Sequence, residues 1–217
     1  PILPKEYQEV EYLKANGNQY IDIKYSYKID DEIECNFSVD ENSGGIQGVF
    51  GNGNVSQYTG TVLYVNASNV PTVTIGGILG TNFFKIDDYK ITLGQKYNMK
   101  YIHDTSYIND VKYVSVTNAL QNGTQDDFSL FRRYNTLGLR GKIYSMTIKR
   151  NGEYIWNFIP CYRKSDNKPG MYDVKNNTFY TNNGTGEFSV GANVTYPDSS
   201  MKNYEAKIGT NKYKIYG

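Results

Sequence analysis

At 217 residues the chain is long enough for one large all-β domain or two small ones, with room for a sizeable core. Its 23 basic and 22 acidic residues leave a formal charge of +1, so no global field draws it to nucleic acid or to an anionic membrane. The absence of any run approaching ~18 apolar residues argues against membrane insertion, and the lack of a charged-then-apolar opening argues against a signal peptide.

The sequence holds 22 Tyr, 9 Phe and 21 Gly against a single Trp and a single His, a balance that favours strands and turns over helices. Pro1 and Pro4 keep the opening out of a central strand, and Glu6 to Leu13 reads as either a short helix or an edge strand. From Gln19 to Ile29, Ile21, Ile23, Tyr25 and Tyr27 alternate with Tyr20, Asp22, Lys24 and Ser26, the period-two mark of a half-buried strand. The next run repeats the pattern, with Ile33, Cys35, Phe37 and Val39 set against Glu32, Glu34, Asn36 and Ser38. These two runs are expected to pair as a hairpin.

Asn42 to Gly60 is rich in Gly, Asn and Ser around the apolar island Ile46 to Phe50, which predicts one short strand between turns. Further short strands are predicted at Thr61 to Asn66, Thr72 to Ile75 and Asn82 to Ile86. Lys96 to His103 alternates again, turns at Asp104 and Thr105 into Ser106 to Ile108, and turns at Asn109 and Asp110 into Val111 to Val116. Phe128 to Phe131 is short. Leu139 to Arg150 is longer and ends at Asn151-Gly152, the strongest short hairpin signal in the chain, from which Glu153 to Tyr162 returns. Gly170 to Val174 and Thr178 to Tyr180 flank a turn at Lys175 to Asn177.

About a dozen short strands without an amphipathic helix point to an all-β jelly-roll sandwich of two antiparallel sheets. The regular sandwich is expected to span residues 1–191. Residues 192–217 form a turn or linker, with a last hairpin about Gly209 to Asn211. Cys35 and Cys161 lack the spacing and the histidine partners of a zinc site, and free buried thiols are expected in preference to a disulfide.

The stretch Leu3 to Leu13, followed by Gly17 to Asp22, resembles the start of a domain found in tail and minor structural proteins of phages and prophages of Gram-positive bacteria. Gly141 to Ile148, Asn157 to Asp166, Pro169 to Asp173, Phe179 to Asn182 and Gly184 to Gly186 resemble its closing signature. That family is described as a concanavalin A-like lectin/glucanase sandwich related to laminin G-like domains. Within it, Gly141 to Ile148 resembles a late sandwich strand, and Tyr97 to Asn109 a central hairpin. The resemblance implies a virion component, made in the host cytoplasm, that binds a host cell-surface glycan or docks to other tail proteins, and it supplies no binding residues. A homo-oligomer is compatible with it. The absence of an initiator Met suggests processing or excision from a longer chain.

Glycanases on this sandwich carry acids in the pattern Glu-x-Asp-x-x-Glu. The nearest match, Glu32-Ile33-Glu34, lacks the last acid and reads as a solvated outer face, so no enzyme is expected, and a glycan hydrolase is the weakest alternative. His103 stands beside Asp104 with no Gly-x-Ser-x-Gly elbow, so a polar or packed histidine beside a turn is expected in preference to a triad. Gly51 with Gly53, and Gly76-Gly77, read as turns and not phosphate cradles. Asp87, Asp88, Asp104, Asp110, Asp126 and Asp127 could contribute to calcium in rim loops, yet none lies in a dense ligand ladder, so no cofactor is assigned.

Tyrosine and tryptophan remain. Their flat rings stack on the apolar faces of sugars and equally serve protein contacts. Alternation places Tyr154, Trp156 and Phe158 on one face of a strand that is either buried on both sides or presents Trp156 as a platform. The candidate ligand-binding residues are Trp156, Tyr154, Tyr101 and Tyr113, with Arg132 and Arg133 for an anionic glycan or a neighbouring chain. The alternative reading is a structural decoration or assembly module without a ligand.

Overall fold

The computed structural model describes residues 3–51, 62–69, 71–74, 83–85, 89–102, 105–115, 127–133, 137–196, 204–208 and 211–215. None of them is helical. In chain order the strands begin with β1 (Tyr7–Glu9), β2 (Leu13–Asn16), β3 (Ile21–Lys24), β4 (Asp31–Val39), β5 (Gln47–Gly51), β6 (Val62–Val65), β7 (Pro71–Thr74) and β8 (Phe83–Lys85). They continue with β9 (Tyr97–Ile102), β10 (Thr105–Ile108), β11 (Val111–Ser115), β12 (Asp127–Leu130), β13 (Arg132–Arg133), β14 (Leu137–Gly138), β15 (Arg140–Arg150) and β16 (Glu153–Arg163). The last are β17 (Lys168–Asp173), β18 (Thr178–Thr181), β19 (Ser189–Val190), β20 (Tyr204–Ile208) and β21 (Asn211–Ile215).

The strands form two antiparallel layers. The larger sheet runs β11-β10-β9-β4-β15-β16-β17-β18, with β1, β2 and β19 attached at its ends, and the second runs β3-β12-β5-β6-β7-β8. This is the jelly-roll sandwich that the alternating pattern predicts. Ile21, Ile23, Tyr25 and Tyr27 of the second layer face Ile33, Cys35, Phe37 and Val39 of the first across one continuous core. Rings fill much of it: Phe128 meets Tyr25 edge-on at 5.2 Å and stacks on Phe50 at 5.8 Å.

One pairing differs from expectation. β3 and β4 follow each other in sequence and do not form a hairpin: β3 pairs with β12, and β4 lies between β9 and β15. Both runs are apolar on one side only, so both can be buried by standing in opposite layers, facing each other across the core. The lead-in that read as helix or strand is strand. β1 joins β16 through Tyr7–Arg163 and Glu9–Cys161, where β15 has already diverged.

The connection between the layers is held by a buried carboxylate. Asp31 accepts from the Tyr25 hydroxyl at 2.5 Å, the Lys28 amide at 2.6 Å and Arg150 Nε at 2.7 Å. Asn109-Asp110 and Asn151-Gly152 all take positive φ, the backbone of the tight turns expected at both places.

The large sheet carries a second, smaller apolar cluster on its outer side. Leu3, Cys161 and Tyr172 are buried there, with Tyr7, Ile159, Val174 and Phe179 packed against them. Both cysteines are free, as expected. Cys35 sits in the main core and Cys161 in the outer cluster, so the sheet itself separates them. The pairing of the N-terminal segment continues past residue 191, through Glu11 N to Ala192 O and Val194 N to Glu9 O. Among the described residues, β20 and β21 pair only with each other.

Candidate functional site

The outer face of the large sheet is polar along its middle. Period-two alternation sends Ile33, Cys35 and Phe37 inward, so Glu32, Glu34 and Asn36 project outward from β4. The register then places Lys100 and Asn98 of β9 beside Glu34 and Asn36, and Thr147 and Ser145 of β15 on their other side. Asn157 of β16 extends the row beyond Thr147. Lys100, Glu34, Thr147 and Asn157 thus lie across four adjacent strands, at a spacing of ~4.8 Å from one strand to the next.

These groups are already ordered. Asn98 Nδ2 donates to Glu34 Oε1 at 2.6 Å and to Asn36 Oδ1 at 3.2 Å, and Asn36 Nδ2 donates to Ser145 Oγ at 2.9 Å. Lys100 Nζ is 2.6 Å from Asp110 and 3.9 Å from Glu34. The hydrogen bond that Lys100 donates to Asp110 holds its ammonium above the ordinary lysine pKa, so it stays charged at neutral pH. Because both acceptors sit on the amide side of Asn98, its Oδ1 points the other way and is covered without a hydrogen-bond partner among the described residues. Between the strands lies a shallow depression of about 40 Å³, lined by Glu32, Glu34, Lys100, Ile102, Thr147 and Lys149.

Rings bound the polar strip at both ends. The β15–β16 register skips a residue after Ile148, so Trp156 stands opposite Ile148 and Tyr154 opposite Lys149. Lys149 Nζ lies over the Tyr154 ring at 4.6 Å. The bulge breaks the strict alternation that would have kept Tyr154, Trp156 and Phe158 together. Tyr154 is 40% exposed, whereas Trp156 stacks on Phe158 at 5.5 Å and meets Tyr180 edge-on, packed against the core. At the other end Tyr144 lies at a second bulge of β15, contacted by Tyr12 and by Lys96 Nζ at 4.5 Å. Five residue steps along β15 carry the strand from Tyr144 to Lys149, ~16 Å.

The other expected ligand residues fall elsewhere. Tyr101 is 2% exposed, and its hydroxyl is 3.3 Å from that of Tyr27, which removes its ring from any ligand surface. Its place on the inward side of β9 is the reason. Tyr113 is exposed on the outermost strand β11, against Tyr89, remote in the strand order from Tyr154. Arg132 Nη2 donates to both oxygens of Asp22, at 2.9 and 3.0 Å, while its guanidinium lies 3.3 Å from the Tyr20 ring centroid. Its Nε reaches Ser129 Oγ, which itself donates to Asp22 at 2.6 Å. That charge is therefore engaged within the protein. Phe131, with φ of 66° and no exposure, turns the chain into this arrangement. The side chain of Arg133 lies outside the described residues.

His103, Asp104, Asp87, Asp88, Asp126, Gly53 and Gly76-Gly77 also lie outside the described residues. Gly51, expected in a turn, ends strand β5. Of the calcium candidates, Asp110 is engaged by Lys100, and Asp127 begins β12 beside Lys24. Among the described residues no three His, Cys, Asp or Glu side chains are grouped as a metal site.

Sequence reasoning placed Glu32 and Glu34 on a solvated face and missed what surrounds them. Glu34 meets Asn98 from 64 residues away and the neighbouring Asn36 meets Ser145 from 109 residues away, so only their outward alternation was available as a signal.

No protein-family model matches the chain, and no curated protein matches it significantly in sequence. Solved structures do match its fold. A candidate carbohydrate-binding protein from Bacteroides ovatus superposes with a TM-score of 0.60 at 12% identity, over 86% of this chain and 62% of its own. This chain thus spans less than two thirds of that protein. The CBM40 module of the Ruminococcus gnavus IT-sialidase superposes with a TM-score of 0.50 at 13% identity, over 69% of this chain and 92% of its own. The fold is therefore the lectin-like sandwich, and carbohydrate-binding modules are among its structural neighbours.

Proposed function

We propose that the protein is a non-catalytic carbohydrate-binding sandwich whose ligand lies along the outer face of the large sheet. The observation that carries this reading is the pre-ordered row of amides, hydroxyls and charged groups around Glu34, Asn98 and Thr147, bounded by the rings of Tyr154 and Tyr144. Such a surface offers donors and acceptors at strand spacing to sugar hydroxyls and an exposed ring to a sugar's apolar face. Carboxylates and ammonium groups interleave on it, which favours neutral saccharides over strongly acidic ones. The shared fold of carbohydrate-binding modules supports the reading. Binding of a cell-surface glycan as part of a phage tail or virion is proposed on the resemblance of the terminal motifs to phage structural proteins.

A glycan array probed with the wild type, Tyr154→Ala and Asn98→Ala tests it. Selective binding to neutral glycans that drops ~10-fold or more in both variants, with thermal midpoints retained, is expected. No glycan bound, or binding indifferent to both substitutions, would sink the proposal. Release of reducing ends from a bound glycan would make the protein an enzyme.

Edge strand β11 favours a second reading, that of an assembly module. Val111 is 55% exposed and Tyr113 38% exposed on a strand that pairs only with β10 among the described residues, a template for adding another chain. Light scattering of the wild type and Val111→Lys separates the two. A concentration-dependent oligomer that the lysine dissolves supports assembly, and a monomer throughout opposes it.

A further inference from the structure

A cavity of about 460 Å³ opens at the β1–β16 junction, lined by Lys5, Glu6, Tyr7, Arg163, Lys164 and Ser165. It borders the apolar cluster of Tyr172 and Phe179, against which its Tyr7 packs, and exceeds the depression in the polar row by an order of magnitude. Its volume falls in the range of small-molecule sites. The two segments that meet there, Leu3 to Leu13 and Asn157 to Asp166, are both motifs singled out in the sequence, and the polar row uses only Asn157 of either.

Both walls are tied. Tyr7 N donates to Pro4 O at 3.0 Å, Lys164 N to Glu6 O at 2.9 Å and Lys164 Nζ to Lys5 O at 2.9 Å. With these backbone groups engaged and β1 already paired to β16, the recess offers no free strand edge to an extended peptide among the described residues. Recognition falls to side chains. The Tyr7 ring is held against Tyr172 at 4.8 Å and Phe179 at 4.9 Å. Arg163 is oriented by Asp166, which accepts from Nε at 3.0 Å and Nη2 at 2.6 Å, leaving the rest of the guanidinium fork unused by that pair. Lys5, Lys164 and Arg163 face Glu6 and Asp166 in charge, an excess of one positive group.

A fixed ring, a hydroxyl and a net cation at one small recess match a ligand that is both a ring and a monoanion. We propose that this cleft is a second saccharide site, separate from the polar row, that takes a carboxylated sugar residue. Its carboxylate pairs with Lys5, Lys164 and Arg163 while its ring rests on Tyr7. This goes beyond the neutral-glycan reading of the polar row and does not depend on it.

The test is a titration of the full chain with D-glucuronate, methyl glucoside and an N-acetylated Asp-Glu dipeptide, followed by amide chemical shifts. Saturable shifts at Lys5 to Tyr7 and Arg163 to Ser165 are expected with glucuronate alone. Lys5→Gln with Lys164→Gln should weaken them ~10-fold, Lys5→Gln alone should weaken them in part, and Tyr154→Ala should leave them unchanged. Lys5→Gln removes no hydrogen bond found in the fold, so it reads binding even if the double variant unfolds. The proposal is overturned if glucuronate moves none of these amides, if methyl glucoside moves them equally, or if the dipeptide binds more tightly. Neutral-glycan binding at the polar row is read at the Asn98 and Thr147 amides, so failure of one site is distinguishable from failure of the other.

Discussion

Asp31 shows how a single side chain can hold two layers together. It is fully buried, and its charge is matched by Arg150 and by two further donors. Asp31→Ala would leave the Arg150 guanidinium and the Tyr25 hydroxyl without their acceptor, and a loss of ~3 kcal/mol in urea unfolding is expected. Burial first, and the Asp31 carboxylate second, push the Tyr25 hydroxyl above the ordinary tyrosine range, and burial pushes Tyr27 up to about 12. In the unfolded chain both titrate near ~10. The folded state therefore holds protons that the unfolded state has lost, so stability is fully present below pH ~10 and falls as pH rises through the folded values, by up to ~1.4 kcal/mol per pH unit per tyrosine. Tyr25→Phe should remove one proton from that slope in alkaline denaturation. The thiols make a simpler prediction: burial raises both, Cys161 to about 12. Ellman's reagent should find neither in the native protein and both in guanidinium.

Bulges and close approaches set the character of individual strands. Gly141 begins the long run of β15 where it is paired on both sides, by Ala15 of β2 and Val39 of β4. A Cβ at Gly141 would stand 2.0 Å from the Ser38 carbonyl oxygen, and backbone on both sides cannot yield. Gly141→Ala is expected to destabilise by ~3 kcal/mol or more, or to prevent soluble expression, whereas Gly45→Ala, with only the Ser43 hydroxyl near at 3.9 Å, serves as a mild control. On β16 the bulge assigns opposite roles to two rings that a plain alternation would treat alike. Trp156→Ala should lose ~2 kcal/mol through its contacts with Phe158 and Tyr180, while saccharide binding by the folded fraction persists. Tyr154→Ala should do the reverse. Thermal melts alongside glycan binding would show a double dissociation.

Across the whole molecule, the sandwich buries one face of the large sheet in the core and leaves the polar row on the other. The N-terminal segment and residues 188–194 both complete the large sheet: Phe188 packs on Phe131 at 4.7 Å, and β19 pairs with β2. Among the described residues, the β20–β21 hairpin pairs only with itself. A chain ending at Tyr196 should keep its thermal midpoint within ~2 °C, and one ending at Asn183 should lose ~10 °C or fail to fold. If removal of β20 and β21 lowered the midpoint as much as removal of Phe188 and β19, the hairpin would be part of the sandwich.

The strand positions and the outward direction of Glu32, Glu34 and Asn36 were legible in the sequence, because side-chain alternation and turn chemistry are local. Asn109-Asp110 and Asn151-Gly152 announce their turns through the backbone conformations that those residues accept. Which strands become neighbours is a different matter. It left β3 and β4 in opposite layers instead of a hairpin, drew Asn98 and Ser145 to Asn36, and brought Lys5 beside Lys164. The one-residue slips in β15 and β16 likewise arise from fitting long strands to their partners, and they determined which of Tyr154 and Trp156 meets solvent. Alternation belongs to the chain by itself, whereas pairing is chosen by the burial of the whole core, and so the composition of each outer surface was decided only in the folded state.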